Sequence, residues 1–158
     1  QKLAKTKEEK ILSRLAREFS YSSDGFLDSW KIHSRRGADG RIRGDCEDFA
    51  LTLAWRLAGE SWFRLLWHLL SLKSVIWHVT SVQKDGSRGG GHVALWHRGS
   101  GWADNIYPAW KGSTPHTRRF PWLLPLLLLK LGSGKISGRS DKLNTPAETP
   151  GAPSSLRS

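Results

Sequence analysis

Sulfur is scarce in this sequence, which contains one cysteine and no methionine among 158 residues. A single cysteine excludes an internal disulfide and any metal site built on a Cys-x-x-Cys pair. Three roles are left for Cys46: a structural thiol, a crosslink to another chain, or a reactive nucleophile. The residues around Cys46 indicate which of these roles it has.

Long apolar runs are absent as well. The longest, residues 122–129, falls well short of the roughly 20 residues that a helix needs to cross a bilayer, and Pro125 interrupts it. We therefore expect no membrane span. Residues 1–5 also lack the apolar core of a secretory signal, so we expect no signal peptide in this chain.

Acidic residues are few, with 14 against 25 basic residues and a net charge of +11. The excess is spread along the chain, so it does not outline a shaped nucleic-acid groove. A basic surface favours contact with polyanions, such as nucleic acid, an anionic cell-wall polymer or an acidic lipid surface. The charge alone does not choose between these partners.

Hydrophobic spacing predicts three helices, over 7–19, 45–59 and 62–72, and three strands, over 74–82, 91–97 and 102–107. Residues 20–43 are predicted to be a long irregular connection anchored by Phe26, Leu27 and Trp30. Helices followed by an antiparallel meander indicate an α+β fold. Because Gly, Ser, Pro and Thr dominate residues 132–158, we expect one domain over 1–131 and a flexible polar tail.

Cys46 falls at the predicted start of the second helix, in the segment Gly-Asp-Cys-Glu-Asp-Phe-Ala over 44–50. A helix N-terminus carries partial positive charge and unpaired N–H groups, which favour a thiolate and can donate to an oxyanion. The neighbouring acids act in the opposite direction and raise the pKa of the thiol. Since free cysteine is also among the most buried residue types, a structural thiol stays an alternative.

A histidine and an aspartate in the predicted strands complete a set of groups that could do chemistry. A hairpin packed on the cysteine helix would place His92 beside Cys46 as its base. Asp104, predicted near the middle of the third strand, needs a partner such as a histidine N–H. A turn aspartate bonded to the backbone is the plainer alternative for this residue.

The remaining histidines carry less information in the sequence. His97 is predicted to be exposed near a turn, and His78 fits the core or the surface. The other three, His33, His68 and His116, have no supporting context. Zinc is a competing use of one thiol, one histidine and one carboxylate, but no closely spaced ligand pair supports a zinc site.

Three segments together resemble the bacterial transglutaminase-like cysteine proteinases: Gly-Asp-Cys-Glu-Asp-Phe-Ala-Leu at 44–51, Gly-His-Val-Ala-Leu at 91–95 and Asp-Asn at 104–105. The resemblance covers roughly residues 40–110. It implies a papain-like fold with N-terminal helices packed on a small antiparallel sheet. It also implies a triad of nucleophile, general base and orienting carboxylate, formed by Cys46, His92 and Asp104.

The resemblance implies hydrolysis of a peptide or amide bond through a thioester on Cys46. A protein or peptide, such as a peptidoglycan peptide, would be the substrate, and capture of the thioester by an amine would give transglutamination instead. This chemistry requires no cofactor, although the resemblance implies a calcium site at Asp45, Glu47 and Asp48. A bacterial cytoplasm, periplasm or virion all fit as the location.

A second hypothesis is not enzymatic. The chain is short, strongly basic and rich in tryptophan, with nine in all. These traits also fit a basic structural or binding protein that keeps the fold without turnover, inside a larger assembly such as a virion. It predicts an unreactive Cys46.

Overall fold

The computed structural model describes residues 6–22 and 30–129 of the chain. The predicted tail 132–158 and the predicted anchors Phe26 and Leu27 lie outside the described residues. The elements are α1 Lys7–Glu18, β1 Phe19–Tyr21, β2 Ile42–Gly44, α2 Cys46–Leu57, α3 Trp62–Leu70, β3 Ser74–Val82, β4 Arg88–His97, β5 Gly101–Ala103 and β6 Thr117–Trp122, with a further helical segment over 124–129. No helix among the described residues is long and apolar enough to cross a bilayer.

The sequence fixes where the first two helices begin. Thr6 and Glu9 form a capping box that starts α1, each side chain bonding the other's backbone N–H. Asp45 caps α2, and Gly59, in the left-handed region at φ 70°, follows its end. The predicted helices over 7–19 and 45–59 are confirmed to within two residues.

One four-stranded antiparallel sheet, in the order β5-β4-β3-β6, forms the second half of the domain. The β3–β4 hairpin is the predicted one, with Val79 opposite His92. Strand β6 was not predicted, and neither were β1 and β2, which pair in parallel. The third predicted strand, over 102–107, is shorter than expected: β5 spans only Gly101–Ala103.

The core lies between the helices and one face of this sheet. Helix α2 is buried almost all round and packs on β4, with Phe49, Leu51 and Leu53 fully enclosed. Trp30 joins the same core, as predicted. The architecture is therefore α+β, with helices packed on a small antiparallel sheet.

The expectation that His97 is exposed is wrong, since only 4% of its surface is accessible. Helix α3 covers this end of the hairpin, and its His68 ring lies 5.8 Å from the His97 ring. The His97 Nδ1 atom is 2.8 Å from the Ser74 hydroxyl. Burial, with smaller contributions from His68 and Lys73, lowers the pKa of His97 to about 4, so this histidine is neutral at pH 7.

Candidate active site

Strand β2 leads straight into the helix that carries Cys46. One Asp45 carboxylate oxygen accepts the N–H groups of Glu47 and Asp48, each at 3.1 Å, and so fixes Cys46 as the first residue of α2. A Cβ atom at Gly44 would lie 2.7 Å from the Asp48 Cβ. Only glycine fits there, which explains why the segment reads Gly-Asp-Cys.

Asp48 has a structural role. Its buried carboxylate accepts the Lys31 N–H at 2.7 Å and contacts His33 Nε2 at 3.0 Å. Thr52 accepts the His33 N–H in the same region, so the segment before β2 is tied to α2. His33 thus gains the context that the sequence did not show.

These contacts bear on the predicted calcium site. Both Asp48 oxygens are engaged by Lys31 and His33, and one Asp45 oxygen already accepts two backbone N–H groups. Calcium prefers 6–8 oxygen ligands, roughly, from carboxylates, carbonyls and water. The Asp48 carboxylate is thus part of the packing of α2, and calcium at Asp45, Glu47 and Asp48 stays a prediction.

Cys46 and His92 open onto one cleft of about 400 Å³, which is also lined by Tyr21, Ser81, Gln83, Gly90, Gly91, Asn105 and Ile106. Cys46 lies near the backbone of Val93, the residue that follows His92 on β4. The hairpin thus packs on the cysteine helix in the way that the sequence predicts.

Asp104 was expected near the middle of the third strand, and this is wrong. It lies directly after the end of β5. Its carboxylate is 2% exposed, and Oδ1 accepts the N–H groups of Ile106 at 2.7 Å and Tyr107 at 2.9 Å. His92 Nε2 lies 3.3 Å from the same oxygen, within ion-pair distance but not aligned as a hydrogen bond. From the sequence, a turn aspartate and a partner of a histidine were alternative roles for Asp104; in the structure it has both contacts.

A second histidine, which sequence reasoning missed, contacts Asp104. His116 Nε2 is 3.1 Å from Asp104 Oδ2, and its side chain is fully buried. The residue lies just before β6, and the pairing of β6 with β3 brings it to the site. No local spacing in the sequence links residues 104 and 116.

Comparison with known proteins assigns no family. No family model matches the chain, and no curated protein is significantly similar to it.

The Asp104 carboxyl and the Cys46 thiol have opposite protonation states. Burial alone would raise the pKa of Asp104, but the hydrogen bond from His116, the proximity of His92 and the Tyr107 N–H hold its pKa well below the usual range. Burial, with the charges of Glu47 and Asp45, raises the pKa of the Cys46 thiol to about 12, against the Val93 hydrogen bond. At neutral pH the carboxyl is ionised and the thiol keeps its proton. Burial and the neighbouring acids therefore raise the thiol pKa by more than the helix N-terminus lowers it.

A metal at this site has one candidate ligand group among the described residues. His92, Asp104 and His116 each offer an atom, and these atoms lie within 4.8 Å of one another. The group does not include Cys46, so it differs from the set of one thiol, one histidine and one carboxylate that the sequence offered as an alternative. His116 Nδ1 also accepts the Val82 N–H at 2.9 Å. Nε2 then carries the hydrogen, which does not fit a histidine that ligates through Nε2.

Glu47→Gln tests the cause of the high thiol pKa. Because the Glu47 charge is the largest cause after burial, its removal is expected to lower the pKa of Cys46. The rate of iodoacetamide labelling follows the thiolate fraction, so its pH profile should shift to lower pH. Glu60→Gln removes the same charge from a residue outside the cleft and should leave the profile unchanged. Equal profiles for Glu47→Gln and wild type would contradict this.

Proposed function

We propose that this protein is a thiol-dependent hydrolase of peptide or amide bonds, of the papain-like, transglutaminase-like type, with Cys46 as its nucleophile. The observation that carries the proposal is one cleft shared by a thiol at a helix N-terminus and a histidine beside a buried, ionised carboxylate. The combination of nucleophile, base and orienting group is the arrangement that acyl transfer requires.

The orientation of His92 supports its role as base. Because Nε2 faces Asp104 at 3.3 Å, Nδ1 is the nitrogen left to accept the proton of Cys46. The thiol is protonated at rest, so the proton passes to His92 as the sulfur attacks the carbonyl carbon. Asp104 holds the ring in place and stabilises the imidazolium that results.

The helix start supplies a donor for the oxyanion. The Asp45 side chain accepts hydrogen bonds from the N–H groups of Glu47 and Asp48. Its backbone carbonyl oxygen accepts a hydrogen bond from the Phe49 N–H. The Cys46 N–H is the first-turn donor that Asp45 does not take. It is therefore the group available to the negative oxygen of the tetrahedral intermediate.

The rest of the cycle follows from the same groups. The imidazolium gives its proton to the leaving amine, and a thioester forms between Cys46 and the acyl group. Water then attacks the thioester with His92 as base, which releases the acid and restores the thiol. An amine in place of water gives transglutamination. No step requires a cofactor, and the substrate is a protein or peptide, such as a peptidoglycan peptide.

A second candidate is a basic structural or binding protein that keeps the fold without turnover, in a larger assembly such as a virion. The raised pKa of Cys46 favours it, because a thiol of that pKa is a poor nucleophile without a base. The net charge of +11 suits an anionic partner, including nucleic acid or a cell-wall polymer.

Mass spectrometry after exposure to a peptide-like alkylating probe separates the two candidates. We expect one adduct, its absence in Cys46→Ala, and labelling about 100-fold slower in His92→Ala, the lower end of the scale of general-base catalysis. His78→Ala is the matched control, since His78 is a half-buried histidine of the same hairpin and should label like wild type. Equal labelling with and without His92 would favour the non-enzymatic candidate.

A further inference from the structure

We propose that His116 is a fourth member of the site, a positioning residue that holds Asp104 in the orientation that His92 requires. The inference rests on the proposed function, since it assigns a role within that same chemistry. It also gives a role to His116, a buried histidine that is not part of the triad.

His116 belongs to a closed ring of hydrogen bonds. The Val82 N–H donates to His116 Nδ1 at 2.9 Å, and His116 Nε2 lies 3.1 Å from Asp104 Oδ2. The Tyr107 N–H donates to Asp104 Oδ1 at 2.9 Å, and the Tyr107 hydroxyl donates to the Val82 carbonyl at 3.1 Å. The ring joins the end of β3, the turn after β5 and the segment before β6. Each member is thus fixed by two neighbours.

The ring assigns the tautomer of His116. A backbone N–H can only donate, so His116 Nδ1 must be the acceptor and carry no hydrogen. The hydrogen is therefore on Nε2, which donates to Asp104 Oδ2. A neutral imidazole donates this bond without cancelling the carboxylate charge. The charge of Asp104 stays available to stabilise the His92 imidazolium.

The contacts of Asp104 show what His116 adds. Oδ1 accepts the N–H groups of Ile106 and Tyr107, and Oδ2 is held from the other side by His116. Without His116, one end of the carboxylate would lose its anchor and the group could turn. The His116 ring also packs edge-on against the His92 ring, with centroids 5.0 Å apart and an interplanar angle of 73°. The restraint on His92 that we propose is the one that passes through the Asp104 carboxylate.

Two substitutions separate the positioning role from a structural one. His116→Asn keeps an acceptor near the Nδ1 position for the Val82 N–H but loses the donor to Asp104. His116→Gln keeps a donor near the Nε2 position but loses the acceptor. Each variant loses one buried hydrogen bond, so thermal unfolding should show a similar loss of stability in both.

The readout is the rate and pH profile of Cys46 alkylation, measured together with wild type and His92→Ala. We expect His116→Asn to label about fivefold more slowly, the scale of one hydrogen bond, with an altered pH profile, and His116→Gln to stay within about twofold of wild type. Equal rates in the two variants would overturn the inference, while a slow His92→Ala would keep the proposed function. Wild-type labelling in His92→Ala would overturn both.

Discussion

Asp104→Ala is expected to lower the free energy of unfolding by about 4 kcal/mol, since a buried donor left unpaired costs about 1–3 kcal/mol. The carboxylate accepts three donors, the N–H groups of Ile106 and Tyr107 and His116 Nε2–H, in a place where 2% of the residue is exposed. Alanine leaves all of them without their acceptor. Urea denaturation followed by tryptophan fluorescence measures the loss.

Asp85→Ala is the matched control for this loss. Asp85 forms the same kind of turn, with its carboxylate accepting the Ser87 N–H at 2.9 Å, but it is exposed to solvent. Water can replace the lost acceptor there, so the loss of stability should be much smaller. Similar losses in the two variants would show that the buried contacts of Asp104 do not stabilise the fold.

The pH dependence gives a second check on Asp104. Because the folded protein holds the pKa of this carboxyl below its unfolded value, ionised Asp104 stabilises the fold above about pH 4. This contribution is lost as the pH falls further toward the folded pKa. The stability gap between wild type and Asp104→Ala should therefore narrow in acid.

Gly101→Ala is expected to cost about 3 kcal/mol, from backbone strain and a steric collision together. Gly101 has φ 96°, in the left-handed region, and a Cβ there would collide with the Lys111 carbonyl oxygen. That oxygen accepts the Trp102 N–H at 2.7 Å, so the backbone cannot move away without breaking this bond. Thermal or urea unfolding measures the effect.

Gly99→Ala provides the control for the strain alone. Gly99 has a similar φ of 87°, but nothing lies within 4 Å of an added Cβ. Its expected cost is about 1 kcal/mol, and the difference between the two variants measures the collision. Equal costs would mean that the Lys111 carbonyl yields freely. Since Asp104 follows β5 directly, Gly101→Ala should also slow Cys46 labelling, and Gly99→Ala should not.

The sequence predicts the parts of the fold whose pattern is local. Helix α2 and the β3–β4 hairpin have unbroken apolar spacing, and the Asp45–Cys46 pair marks the start of a helix, so all three are predicted. The hairpin then brings His92 to Cys46 because β4 packs on α2. These steps need only periodicity and capping.

The missed parts depend on long-range pairing. Strand β6 is an edge strand with two arginines and Pro121, which hides any strand pattern in Thr117–Trp122. Residues 102–107 are aromatic and apolar enough to suggest a strand. The Asp104 side chain, however, takes the N–H groups of residues 106 and 107 and ends it. His116 meets Asp104 only after β6 pairs with β3, so no sequence spacing reveals it.

The position of β6 at the edge of the sheet has a consequence for biosynthesis. The ribosome adds Cys46 early and β6 late, and His116 reaches Asp104 only when β6 has joined β3. A nascent chain that lacks β6 thus carries the thiol without the anchored carboxylate behind its base. Among the described residues, the strand that follows all the others in the sequence is thus the one that completes the contacts of Asp104.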